Sequence, residues 1–220
     1  FDTYPPALPI RSRVNGELRQ GFDVNHHELT LTECAKPGEC FSVFLSAYTG
    51  VQNFHLVFDA SLRMVDRETE ALYYDLLVPW QTACLLDQDD TQYIRLIQTL
   101  NEAVNLLDLR KPGNEAFHAS VQTARAFLRE KFYTHTRNDG PCVLCVGHTH
   151  IDIAWLWTLS VTEDKAVRSF STVLELMRRY PEYKFMSSQP QLYLYVKKNA
   201  PEIYEQIKAR VAEGRWEIEG

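Results

Sequence analysis

His148, His150 and Asp152, two imidazoles and a carboxylate at alternate positions, are the residues of this sequence best placed to do chemistry. They lie in Gly147-His-Thr-His-Ile-Asp-Ile-Ala-Trp-Leu156, directly after the apolar run Cys142-Val-Leu-Cys-Val146. That run reads as a short buried strand. The polar trio then sits just past the C-terminal end of a strand, the edge of an α/β sheet where ligands and metals bind. Residues two apart in extended backbone point to one side, so His150 and Asp152 can converge on one cation. Both are ordinary zinc ligands, and the other positions of a four-coordinate site would fall to other parts of the protein. The same pair reads equally as polar loop residues satisfied by backbone hydrogen bonds.

The neighbours of this pair carry readings of their own. Cys142-x-x-Cys145-x-x-His148-x-His150 offers a rival structural zinc site. Positions three apart in a strand face opposite sides, however, which favours two small buried thiols. His148 shares a side with His150 and reads either as a residue that orients a ligand or as a core-edge histidine bonded to a carbonyl. Trp155 and Trp157 suit the apolar face of a sugar if exposed, and the core if packed. Glu163 and Asp164 resemble an acid/base pair, but Ser160-x-x-Glu163 reads as a capping box opening a helix, and acidic residues favour that end of the dipole. Ser187-Ser-Gln-Pro190, at the end of a second strand, has groups that could hydrogen-bond a polar substrate. His26, His27, His55, His118 and His135 form no metal-spaced cluster.

The elements that must position these residues follow from periodicity. Residues 1–66 read as β-rich: Phe1 to Pro9 extended, an Asn15-Gly16 hairpin turn, and strands over 41–48 and 54–58. From Arg67 the spacing turns helical, through Leu72, Leu76 and Leu77, then Ile94, Ile97, Leu100, Val104 and Leu107. A third helix is expected from about Asn114 through Phe117, Val121, Ala124 and Leu128 to His135. Thr136-Arg-Asn-Asp-Gly140 reads as a boundary, dividing an N-terminal domain (1–137) from a second domain (138–220). After it, strand 141–147, helix 161–180, strand 183–187, helices 190–199 and 201–213, and strand 215–219 alternate. That order implies βαβ units and a parallel sheet. The fold class is therefore an α+β N-terminal domain, β-rich then helical, followed by the start of an α/β parallel-sheet domain. Two or three parallel strands cannot bury both faces of a sheet, so the chain reads as truncated inside its second domain.

A net charge of -6 argues against nucleic acid or an anionic membrane as the main partner. No apolar stretch approaches the roughly 20 residues that span a bilayer. Five scattered cysteines read as reduced thiols, and the expected location is cytoplasmic.

The chain resembles the zinc-dependent α-mannosidases of glycoside hydrolase family 38, most of all their cytosolic and bacterial branch. The resemblance rests on Gly147-His-Thr-His-Ile-Asp-Ile-Ala-Trp-Leu-Trp157, on Met186-Ser-Ser-Gln-Pro-Gln-Leu-Tyr193, and on Val211-Ala-Glu-Gly-Arg-Trp-Glu-Ile-Glu-Gly220. It is specific over roughly 140–220. Upstream it is looser, carried by Asn15-Gly-Glu-Leu-Arg-Gln-Gly21 and the order of elements. It implies a β/α barrel-like catalytic domain, zinc bound by His150 and Asp152, and Trp155 stacked on the sugar of an α-mannoside substrate. It implies a retaining mechanism whose nucleophile and acid/base lie beyond Gly220, leaving no catalytic carboxylate in this chain. The alternative is an amidohydrolase-type metal-dependent hydrolase using His148 and His150, with Asp152 incidental. A third is a non-enzymatic carbohydrate-binding piece. Linkage, natural glycan and oligomeric state, homo-oligomer included, stay open.

Overall fold

Asn15 and Gly16 both adopt positive φ, 52° and 88°, as a two-residue hairpin loop requires. They join β1 (Ile10–Val14) to β2 (Glu17–Phe22) in antiparallel register, and β3 (Val43–Ala47) pairs with the other edge of β1. The expected turn and the strand expected over 41–48 are thus both present. The computed structural model describes residues 10–23, 25–47, 59–132, 134 and 141–219. The extended Phe1–Pro9 segment, the strand expected at 54–58 and the Thr136–Gly140 boundary lie outside the described residues, as does the expected helix end at His135.

Helices α1 (Arg67–Ala83), α2 (Thr91–Asn105) and α3 (Glu115–Phe132) follow. Each opens on a side-chain oxygen that accepts backbone N–H groups of the first turn: Asp66, Asp90 and Asn114. The helical stripe read from the sequence supplies the shared core of Leu72, Leu100, Phe117, Val121, Ala124 and Leu128. Ile94 and Val104 of the same stripe are exposed instead. Arg125 ties α3 to α1 through Asp75 (2.9 Å) and Glu68.

The remaining elements alternate: β4 (Gly147–His148), α4 (Leu159–Arg179), β5 (Phe185–Ser187), α5 (Pro190–Asn199), α6 (Pro201–Ala212) and β6 (Trp216–Ile218). The strands pair in parallel in the order β4-β5-β6. Phe170 of α4, Phe185 of β5, Tyr193 of α5 and Trp216 of β6 interlock beneath them, with ring centroids 4.7–6.4 Å apart. One expectation is corrected. Residues 141–146 form no strand, and Val143 and Leu144 are 78% and 77% exposed. The β4 ladder reaches only Gly147 and His148, so the apolar run before it lacks a pairing partner among the described residues.

The chain forms two compact units. One comprises Val57–Cys142, and the other joins Phe1–Leu56 to Val143–Gly220. The second is discontinuous because the N-terminal sheet packs on α4. The Gly21 N–H donates to Thr172 Oγ1 at 3.0 Å, and Arg11 Nε meets Asp164 Oδ1 at 2.9 Å. A Cβ on Gly21 would run into the Arg168 side chain, so glycine permits this approach. No helix among the described residues is long and apolar enough to cross a membrane.

Candidate functional site

The site grows from the end of β4. The Gly147 N–H donates to the Lys184 carbonyl at 2.8 Å, and a Cβ on Gly147 would overlap the Tyr183 hydroxyl. Glycine therefore lets the strand start where it does. Past His148, the side chain of Ile151 is anchored in the core at 5% exposure. Its two neighbours are turned the other way: the His150 and Asp152 side chains are 72% and 45% exposed. They meet, with His150 Nε2 3.1 Å from Asp152 Oδ1.

That spacing suits a shared cation. Two donors each about 2.0–2.2 Å from a tetrahedral zinc ion stand roughly 3.3 Å apart. Imidazole nitrogen and carboxylate oxygen are also the right donor types, so the pair fits two of four positions. Among the described residues, no group of three or more His, Cys, Asp or Glu side chains gathers around one point.

The loop continues through Ala154, which has φ 61° although it carries a Cβ. Trp155 is 67% exposed and meets Trp157 edge-on, with centroids 5.7 Å apart and planes at 88°. Trp157 is held on three sides: by Trp155, by its Nε1–H donated to Thr162 Oγ1 at 2.9 Å, and by Lys165 Nζ 3.2 Å above the ring centroid. Burial pulls the Lys165 ammonium below its ordinary pKa, aided by Arg168 and opposed by Asp152. An open indole face thus stands three residues from the His150–Asp152 pair, the arrangement of a polar grip beside an apolar platform.

Other sequence-predicted residues fall differently. Cys142 and Cys145 are exposed rather than buried, because no strand forms around them. The capping box does not close. Helix α4 starts after Thr158 with no side-chain cap, and Glu163 instead accepts from Asn199 at 2.8 Å and faces Lys198. The Asn199 hydrogen bond, then Lys198, lowers the Glu163 pKa. Asp164 pairs with Arg11 and Arg168. Both carboxylates have structural partners. Ser187 is buried, its carbonyl taking the Tyr193 hydroxyl at 2.8 Å, while Gln189, two residues on, adopts φ 69°. His26 and His118 each pair with one aspartate, Asp23 and Asp66.

Sequence reasoning missed Thr162 and Lys165. Both sit in the opening turns of α4, and their partners lie five to ten residues earlier in a loop without regular period. The one signal in the sequence is a threonine close after the Trp155-Leu-Trp157 segment, near the start of a helix.

Comparison with known proteins adds the remaining finding. Residues 141–220 match the family described as glycosyl hydrolases family 38 N-terminal domain. The chain is 32% identical over 157 residues, 71% of its length, to Alpha-mannosidase G of Dictyostelium discoideum. It has the same identity over the same length to Alpha-mannosidase 2C1 of Homo sapiens. It is 31% identical over 165 residues to Alpha-mannosidase of Saccharomyces cerevisiae. The aligned region covers 14% of the first two relatives and 15% of the third.

Proposed function

We propose, from the match of residues 141–220 to the N-terminal domain family of family 38 glycosyl hydrolases, that the full-length protein is a zinc-dependent retaining α-mannosidase. The observation that carries the proposal is the exposed His150–Asp152 pair, 3.1 Å apart at the end of β4. The names of the relatives and the exposed Trp155 support it. In this proposal β4, β5 and β6 begin a larger barrel-like α/β catalytic domain. The location is cytoplasmic, on the resemblance to the cytosolic branch and the scattered cysteines.

Each residue then has a defined task. His150 and Asp152 would hold the ion, as two of its ligands. Zinc, when bound, holds adjacent sugar hydroxyls and so orients the ring. Trp155 presents its face to the apolar side of the sugar. Retaining cleavage uses two carboxyl groups about 5–5.5 Å apart. In this proposal that pair comes from elsewhere in the full-length protein, and the present chain binds and orients without breaking the bond.

Metal analysis and hydrolysis of an aryl α-mannoside by the full-length protein test this. The expected result is stoichiometric zinc, with both zinc and turnover lost in Asp152→Ala and zinc retained in His148→Ala. Zinc lost on His148→Ala but kept on Asp152→Ala would transfer the protein to the amidohydrolase-type alternative. A metal-free protein with no hydrolysis would leave only a carbohydrate-binding role.

A further inference from the structure

We infer that Thr162 is a positioning residue of this site, its hydroxyl holding the 152–157 loop so that Asp152 and Trp155 keep their geometry. The inference rests on the proposed function for its consequences, but its geometry stands apart. Thr162 is 0% exposed, although it carries a polar side chain. A hydroxyl has one donor and two acceptor positions, and all three are used. Oγ1 accepts the Ala154 N–H at 3.2 Å and the Trp157 Nε1–H at 2.9 Å, and it donates to the Asp152 carbonyl at 3.4 Å.

One buried atom therefore ties three loop residues to the first turn of α4. The ties fall on the backbone of the Asp152 ligand candidate and on both sides of Trp155. Ala154 sits in the left-handed region that side chains with a Cβ rarely adopt. Its N–H is bonded to the Thr162 hydroxyl in that conformation. The anchor is rigid, because Ala166, Val167 and Phe170, on the following turns of α4, are all buried in the core. Groups that hydrogen-bond a metal-ligating side chain directly typically cost ten- to a hundredfold in metal affinity when lost. Thr162 holds the backbone of Asp152 rather than its carboxylate, which places its effect at the lower end, about tenfold.

Thr162→Val keeps the shape and removes the hydroxyl, and Thr162→Ser does the reverse. Both are made in the full-length protein. Three properties are then measured: zinc affinity by competition with a chromogenic chelator, KM and kcat on an aryl α-mannoside, and indole emission. Thr162→Val is expected to bind zinc about tenfold more weakly and to raise KM more than it lowers kcat. It should also shift indole emission to longer wavelength as Trp157 loses its partner. Thr162→Ser should stay within about threefold of the parent, with unshifted emission. Parent-like zinc affinity and KM in Thr162→Val, or equal damage in Thr162→Ser, overturns the inference. If Thr162→Val does not fold, Trp157→Phe removes one of the three bonds and should weaken zinc about threefold. No change there overturns the inference as well. A parent protein without zinc or hydrolysis refutes the proposed function instead, and the emission shift then decides on Thr162 alone.

Discussion

Asp66 serves two elements with one carboxylate. Its Oδ1 accepts the N–H groups of Glu68 and Thr69 at the start of α1, and its Oδ2 takes the Thr69 hydroxyl at 2.7 Å and lies 3.1 Å from His118 Nδ1 on α3. The Thr69 hydroxyl above all, with the backbone N–H groups and His118, holds its pKa below the ordinary carboxylate value. Asp108 is lowered to about 2 by Arg110. Folded values below the unfolded value of about 3.9 mean stability that is full above that pH and lost as pH falls through the folded values. A pH series of urea melts followed by helical dichroism should therefore show stability falling between about pH 5 and 2. Asp66→Ala should cost about 1 kcal/mol at neutral pH and flatten that fall, while Asp66→Asn should keep most of the cap. An unchanged acid profile in Asp66→Ala would refute the assignment. At this scale the outward pairing of His150 and Asp152 is legible from sequence. Ile151 is the only large apolar side chain between His150 and Asp152, and burying it turns both neighbours outward together. Thr162 is not legible, because a threonine in a helix carries no mark of which loop its hydroxyl will meet.

Between elements, the tightest approach in the larger unit is β2 on α4. Gly21 and Thr172 share a hydrogen bond there, and the Arg168 stem lies where a Gly21 side chain would go. Gly21→Ala should destabilise by roughly 1–3 kcal/mol, the usual cost of overpacking. In an Arg168→Ala background the same substitution should cost less than half as much, since the obstructing stem is gone and Asp164 keeps Arg11. Thermal melts of the four proteins give this cycle, and an equal cost in both backgrounds would sink the explanation. The helices and parallel strands were readable because their apolar periods match what they bury, as in Phe170, Val173, Leu174 and Met177 of α4. Cys142-Val-Leu-Cys-Val146 misled for a physical reason. An apolar run states a preference for burial, but a strand also needs a backbone partner, and that depends on residues distant in sequence. The packing of β2 on α4 was hidden likewise, because no local pattern marks a contact across some 150 residues.

For the whole molecule, the consequence of two units with one discontinuous is unequal autonomy. The helical unit has its own core of Leu72, Leu100, Phe117, Val121, Ala124 and Leu128. Residues 57–142 expressed alone should show helical dichroism and a cooperative urea transition, whereas residues 1–56 alone should not. Leu18 of β2 belongs to a core whose other members all come from residues 151–216. Absence of cooperativity in the helical piece would refute this division. The same discontinuity sets a timetable during synthesis. Gly21 and Thr172 are 151 residues apart, so at about 5 to 20 residues per second the hairpin waits roughly 8 to 30 seconds for its helix. The ribosome-bound nascent chain is thus the form in which this hairpin stands most open to aggregation, and the form that a chaperone would have most reason to hold.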